Sequence, residues 1–538
     1  MAIRFILALA AAAALDAPAS KAPSPADARL AEALATSSCM SGEGVGAASV
    51  GKGAVLVPGL TPAHMPVSNV SEAQAFFDQG LGQLFGFDYD EALKSFRRAA
   101  ALDPACAMCG WGEALAFGPY INSGPIDAPT IAQARALTGR TAANRALSDR
   151  DRALVEAVHA RHEPGGKQSG VHGDRYADTM IRLAARWPDD DLVAILAAEA
   201  IMDSQPWDYW EAGGKVPKAR AGAAIKLVET VRARSPDDPQ AIHLLIHLTE
   251  ASANPGRAAE GAARLGRLAP AAPHMVHMPS HTWYRIGRFD EAIAANKSAI
   301  VADEAYARAV GDAPEFYGYF THHSHFLASA ATQSGDRATA LAAADALDAA
   351  ITTEAALKSP YLQGRLATAL HARARFLTPA QVLALPAPDK RLTRLQVVWH
   401  GVRAEALAMR NDTVAARAEL LALRTARDAI VTKPSDMRRY AGELTLAAIA
   451  DGVARGRIAE AEGKFDEALR QYHAAEAIEA NLPYFEPALW PTPVAVLAGE
   501  LRLKQGDAVG AAADFRRALA QRPGNSLASA GLASAGRA

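Results

Sequence analysis

Apolar positions recur at helical spacing along most of the chain. Phe76, Phe77 and Gly80 form one such set, and Tyr89, Ala92, Phe96 and Ala99 form the next, with charged residues between them. Ser71-Glu-Ala-Gln74 reads as a capping box opening the first helix. Asp238-Pro239 reads as another helix start and predicts helix over 241–252. Pro273 opens a further helix. Pro279 lies inside it and predicts a kink that frees a carbonyl one turn earlier.

The pattern repeats. Phe87-x-Tyr89-x-x-Ala92-x-x-x-Phe96-x-x-Ala99, closed by Pro104, is echoed at Gly287-x-Phe289-x-x-Ala292 and at Gly463-x-Phe465-x-x-Ala468-x-x-x-Tyr472-x-x-Ala475. It returns at Gly506, Ala511, Phe515, Ala518 and Pro523. Ala224, Ala258 and Ala292 follow one another at intervals of 34 residues. Weaker copies centre on Ala340 and Ala416. This series resembles the tetratricopeptide repeat, a pair of antiparallel helices with small residues at the crossing and an aromatic on the second helix. The resemblance covers 71–535, with degenerate stretches at 120–190 and 350–440. Inserted loops are expected near 120–150, 204–216 and 303–316. The implied fold class is all-α, an α-solenoid of stacked helical hairpins, because one hairpin cannot bury its apolar face alone. The expected organisation is a signal peptide at 1–19, an Ala/Pro/Gly-rich linker at 20–70, histidine-bearing repeats at 71–350 and further repeats at 351–538.

Composition narrows the function. The chain has 538 residues, with 56 Lys+Arg against 58 Asp+Glu, so no basic excess is present for a nucleic-acid partner. Arg4, the apolar run from Phe5 to Leu15, and Ala17-x-Ala19 read as a cleavable export signal. Eleven apolar residues are too few to span a bilayer, which takes about 20. The expected location is therefore periplasmic or secreted, with no integral membrane segment in the mature chain. Gly46 to Gly53 approaches a phosphate-cradling loop but ends in glycine where the magnesium-binding hydroxyl belongs.

Eight of the fifteen histidines fall between 243 and 325. His243, His247 and Glu250 share one helix face at i, i+4 and i+7, and His274, His277 and His281 share another at i, i+3 and i+7. In repeat register, His243, His277 and His325 take equivalent places in successive first helices, as do His247 and His281, and His274 and His322. The resemblance implies that these places line a concave groove. Convergent imidazoles suit a transition metal, since histidines one turn apart match the bite of a single ion. The expected ligands are His243, His247, His277 and His281, with His325, His322, His274 and Glu250 as further ligands or as supports. Copper and zinc both fit, and Met275 and Met278 nearby with an oxidising compartment suit copper. The competing reading is a non-catalytic scaffold whose groove holds a peptide or protein partner. His243-Leu-Leu-Ile-His247 lacks the glutamate of a metalloprotease helix, so no reaction follows from it.

Three further segments bear on chemistry. Pro206-Trp-Asp-Tyr-Trp210 is an aromatic loop that either caps the groove or anchors itself. Tyr319 precedes His322 and His323 by about one turn and either packs or donates to a bound group. Together Pro-Trp-Asp-x-Trp, His-x3-His-x2-Glu-Ala-Ser and His-Met-Pro-Ser-His resemble a subfamily of exported bacterial tetratricopeptide proteins, which implies a fold and no activity. Cys106-Ala-Met-Cys109 opens a helix and admits a local disulfide, packed thiols, a redox dithiol or a soft-metal site.

Overall fold

The structure is a computed structural model that describes residues 53–311, 319–430 and 441–537. The export signal, most of the linker and the phosphate-loop look-alike lie outside the described residues. Among the described residues every regular element is a helix, and the extended pairings are two isolated bridges, Gln168 with Val171 and Trp210 with Pro217.

The chain forms two compact units. One comprises the described residues of 53–283 and 294–323, and the other those of 284–293 and 324–537. The helices run α1 Ser71–Phe85, α2 Tyr89–Leu102, α3 Ala107–Ala116, α4 Ala128–Ala142, α5 Asp149–Arg161, α6 Gly173–Arg186, α7 Asp191–Ser204, α8 Ala221–Arg234, α9 Pro239–Glu250, α10 Ala259–Leu268, α11 Pro273–His277, α12 Pro279–Arg285, α13 Phe289–Val310 and α14 Phe320–Ser334. They continue as α15 Arg337–Ala350, α16 Thr353–Lys358, α17 Pro360–Phe376, α18 Pro379–Leu383, α19 Thr393–Met409, α20 Thr413–Ile430, α21 Ala441–Ala461, α22 Phe465–Glu479, α23 Ala495–Lys504, α24 Ala508–Gln521 and α25 Ser526–Ala535.

Helices pack on their chain neighbours in series, α1 on α2, α6 on α7, α8 on α9, α19 on α20, α21 on α22 and α23 on α24, and first helices touch across repeats, as α19 does α21. This is a tetratricopeptide-like solenoid of stacked hairpins. The crossing chemistry is visible in three glycines. A Cβ on Gly80 would stand 2.9 Å from the Phe96 ring, one on Gly456 2.2 Å from Tyr472, and one on Gly499 2.7 Å from Phe515. Each glycine makes room for the aromatic of its partner helix, which is then fully buried. The repeat alanines Ala92, Ala224, Ala258, Ala292, Ala340, Ala416, Ala468 and Ala511 are buried for the same reason.

Three local expectations need correction. The capping box at Ser71 does not form: Val70 is the N-cap, and the Gln74 carboxamide instead accepts from the Val67 and Ser68 N–H groups and donates to the Met65 carbonyl. The linker residues before α1 thus compete for the side chain that the cap would use. The stretch 120–150 is not simply a loop, since it contains α4, capped by Asp127 accepting from Thr130. The expected insertion at 303–316 is helical as far as Val310, because α13 continues for 22 residues.

Candidate metal centre

The site is carried by α9, by the broken helix α11–α12 and by the start of α14. Asp238 caps α9 by accepting the Ala241 N–H at 2.7 Å, and Pro239 takes the first helical position, where its missing N–H costs nothing. All twelve residues of α9 are buried, so its histidines are enclosed rather than surface residues. Pro279 breaks the next helix as expected, into Pro273–His277 and Pro279–Arg285. Met275 and Met278 are both fully buried.

The histidines converge as two triads. His243, His247 and His274 form the first, and His277, His281 and His322 the second. Within each triad one ligand atom per residue lies within 4.8 Å of the others. The expected core of His243, His247, His277 and His281 is therefore divided between two centres, and each takes its third imidazole from His274 or His322. All six rings are buried, at 0–3% exposure.

Second partners determine which nitrogen carries the proton. His243 Nδ1 faces the Phe85 carbonyl at 2.9 Å and the Gln240 carboxamide oxygen at 3.0 Å, so it donates. His247 Nδ1 donates to Glu250 Oε1 at 3.0 Å, and His281 Nδ1 to Glu250 Oε2 at 2.5 Å. His277 Nδ1 donates to Asn296 Oδ1 at 2.7 Å. In His243, His277 and His281 the nitrogen that faces a neighbouring imidazole is Nε2. A carbonyl or carboxylate behind the ring that fixes the tautomer and aims the other nitrogen is the usual outer shell of a metal-ligating histidine.

The Nε2 atoms meet in pairs at hydrogen-bond distance: His277 Nε2 and His281 Nε2 are 2.9 Å apart, and His243 Nε2 lies 3.1 Å from His274 Nε2. For an ion 2.0–2.1 Å from each nitrogen, such gaps subtend an angle of about 90–100°. His247 Nε2 and His274 Nδ1 are buried with no hydrogen-bond partner. Burial, and after it the neighbouring imidazoles, hold His243, His274 and His277 well below the ordinary histidine range. Burial works against ionisation of Glu250, but His281 and His247 outweigh it and hold the carboxyl down at about 2.

Glu250 spends both oxygens on Nδ1–H groups, one from each triad, and so occupies the supporting place of the two assigned to it. The structure does not bring His325 into either triad. It lies in the C-terminal unit, where its Nε2 meets the Thr368 hydroxyl at 2.9 Å. His325 sits one residue short of a full turn beyond His322 on α14, and the repeat register alone does not say which of the two faces inward.

The sequence reading passed over several contributors. His323 is buried, its Nδ1 donates to Asp303 at 2.6 Å, its Nε2 has no partner, and its ring lies 4.6 Å from that of His277. The adjacent histidine pair was the available signal. Phe87 covers the first triad, with ring centroids 4.5 Å from His243 and 5.5 Å from both His247 and His274. Trp207 stands edge-on to His247 at 5.2 Å and anchors itself through Nε1 to the Ile121 carbonyl. Phe87 and Trp207 have φ of 58° and 62°, a left-handed backbone that bulky residues rarely adopt and that the surrounding structure must hold in place. The aromatic loop therefore both caps and anchors, with Trp210 Nε1 donating to the Leu248 carbonyl. The Tyr319 ring packs 4.4 Å from His274, and its hydroxyl accepts from Asn122. Cys106 and Cys109 are joined in a local disulfide.

The chain matches no family model and no curated protein. Among solved structures it is similar to one described as the APC/C hetero-tetramer Cut9-Hcn1, at 12% identity and a TM-score of 0.29, covering 89% of this chain and 79% of that one. Yeast Tom70 is similar at 10% identity and a TM-score of 0.26, covering 87% and 89%. The human IFIT1 dimer with m7Gppp-AAAA is similar at 14% identity and a TM-score of 0.29, covering 84% and 90%. Values this low leave the fold resting on the hairpin geometry of the chain itself. No helix among the described residues is long and apolar enough to cross a membrane.

Proposed function

We propose that this protein is an exported, tetratricopeptide-like solenoid that binds a transition metal, copper or zinc, through its buried histidines. The observation that carries the reading is the grouping: two sets of three buried imidazoles, each with its ligand atoms within 4.8 Å of one another, and Glu250 held behind one ring of each set. Full burial of all six rings supports an ion over a peptide, because a peptide groove must present its side chains to solvent. The export signal at 1–19 and the helix-opening cysteine pair suit an oxidising compartment.

Elemental analysis of untagged protein tests this reading. The wild-type chain is expected to carry copper or zinc. The double variant His247→Ala with His281→Ala is expected to carry none while its far-UV circular dichroism stays helical. Full metal content in that variant would overturn the proposal. Export is tested by intact mass, which should show loss of about 19 residues from the exported form.

A further inference from the structure

We infer that the two triads form one binuclear centre, each triad holding a copper(I) ion, and that Glu250 couples the two. The inference rests on the metal-binding reading and adds the number of ions, their oxidation state and the device that links them.

Number comes from the grouping. Three ligand atoms converge in each triad, and the triads abut: the His247 and His281 rings are 6.0 Å apart, and the His274 and His277 rings 6.1 Å. One ion at 2.0–2.1 Å from its nitrogens cannot serve six rings spread over two such groups. Two ions satisfy both.

Oxidation state comes from charge. Each donor set is three neutral imidazoles, and the two carboxylates nearby, Glu250 behind His247 and His281 and Asp303 behind His323, receive ring N–H groups rather than face an ion. The cost of enclosing an ion in a dry site rises with the square of its charge. Two dications beside Glu250 and Asp303 would leave uncompensated positive charge, whereas two copper(I) ions are matched by the two carboxylates. Copper(I) also accepts three-coordination by soft or borderline nitrogen donors.

Coupling comes from Glu250. Its Oε1 receives His247 of the first triad, and its Oε2 receives His281 of the second. An ion on His247 fixes that ring, the ring fixes the carboxylate, and the carboxylate fixes His281. Loading of one triad therefore prepares the other.

The test is an anaerobic titration of the full mature chain with copper(I) against a competing chelator, with zinc as the rival probe. Two copper(I) ions per chain, taken up cooperatively and in preference to zinc, are expected. Glu250→Gln can orient only one of the two rings through an acceptor, and should weaken uptake at both sites by about 10–100-fold with helicity intact. If that variant loses helicity, His274→Ala and His322→Ala decide: each should retain one ion, bound more weakly than in the intact pair. One ion per chain, preference for zinc, unchanged copper affinity in Glu250→Gln, or an undiminished remaining site in the single-histidine variants would each overturn the binuclear proposal while leaving the metal-binding reading standing. Absence of every metal would overturn both.

Discussion

The two units place polar clusters inside similar stacks of hairpins, and the clusters differ in kind. In the C-terminal unit one cluster consists of buried and half-buried charges that answer one another. Arg457 faces Glu460 at 3.2 Å and Glu405 and Glu500 at 3.9 Å, and Asp451 receives Arg424 at 2.6 Å and Arg455 at 2.9 Å. The histidine unit has a buried ion pair of this kind in Arg161 and Asp203, 3.0 Å apart, but its largest polar cluster is the two triads of imidazoles. Ion pairs of the first kind neutralise one another. Triads of the second kind are the groups for which a metal is proposed. One hairpin architecture thus supports both kinds of polar interior.

Four outcomes would sharpen or break this contrast. The largest is expected from Arg457→Ala, which removes the cation between three half-buried carboxylates and should destabilise the C-terminal unit by about 3 kcal/mol. Chemical denaturation followed by metal analysis would check it, and metal content should not change. Next is the ion itself. Copper(I) at 100 times its dissociation constant should stabilise the histidine unit by about 2.7 kcal/mol, read as a rise in its melting transition. A rise confined to the C-terminal unit would break the contrast.

A smaller effect concerns Glu479 in the C-terminal unit, whose carboxyl accepts the Val494 N–H at 2.8 Å and is pushed up to about 7 by burial. A folded value above the unfolded 4.5 means that its stabilising share is full below about pH 4.5 and is lost as pH rises through 7. The loss should be on the order of 2 kcal/mol across that window. Melting curves at pH 5 and pH 8 should differ, and Glu479→Gln should narrow the difference. The smallest effect is Asp238→Ala, which removes the cap of α9 at about 1 kcal/mol. Metal affinity should fall with it, since His243 and His247 ride on that helix.

The sequence made the fold legible because repeat spacing survives in a few small and aromatic residues. Ala224, Ala258 and Ala292 fixed the phase, and Gly80 with Phe96 announced a crossing. Register also placed His243, His247, His277 and His281 on inner faces. It did not show how they divide, because the third ligand of each triad depends on how successive hairpins meet and not on spacing within one helix. Phe87 and Trp207 were illegible as caps for a different reason. Nothing in composition signals that a bulky residue will take a left-handed backbone. His325 shows the limit of register itself, since a step of three residues on α14 decides between the triad and Thr368.

One contact described above bears on how the unit can be assembled. His243 donates to the carbonyl of Phe85, 158 residues earlier in the chain. A repeat array is ordinarily modular, each hairpin contacting only its neighbours. Here a ring of the first triad is oriented by the first hairpin, so closing a long loop precedes assembly of the triad. Shortened versions that keep only the histidine-bearing repeats should fold locally and yet fail as metal binders. The first hairpin is then no detachable cap. It belongs to the centre as much as the helices that carry the histidines.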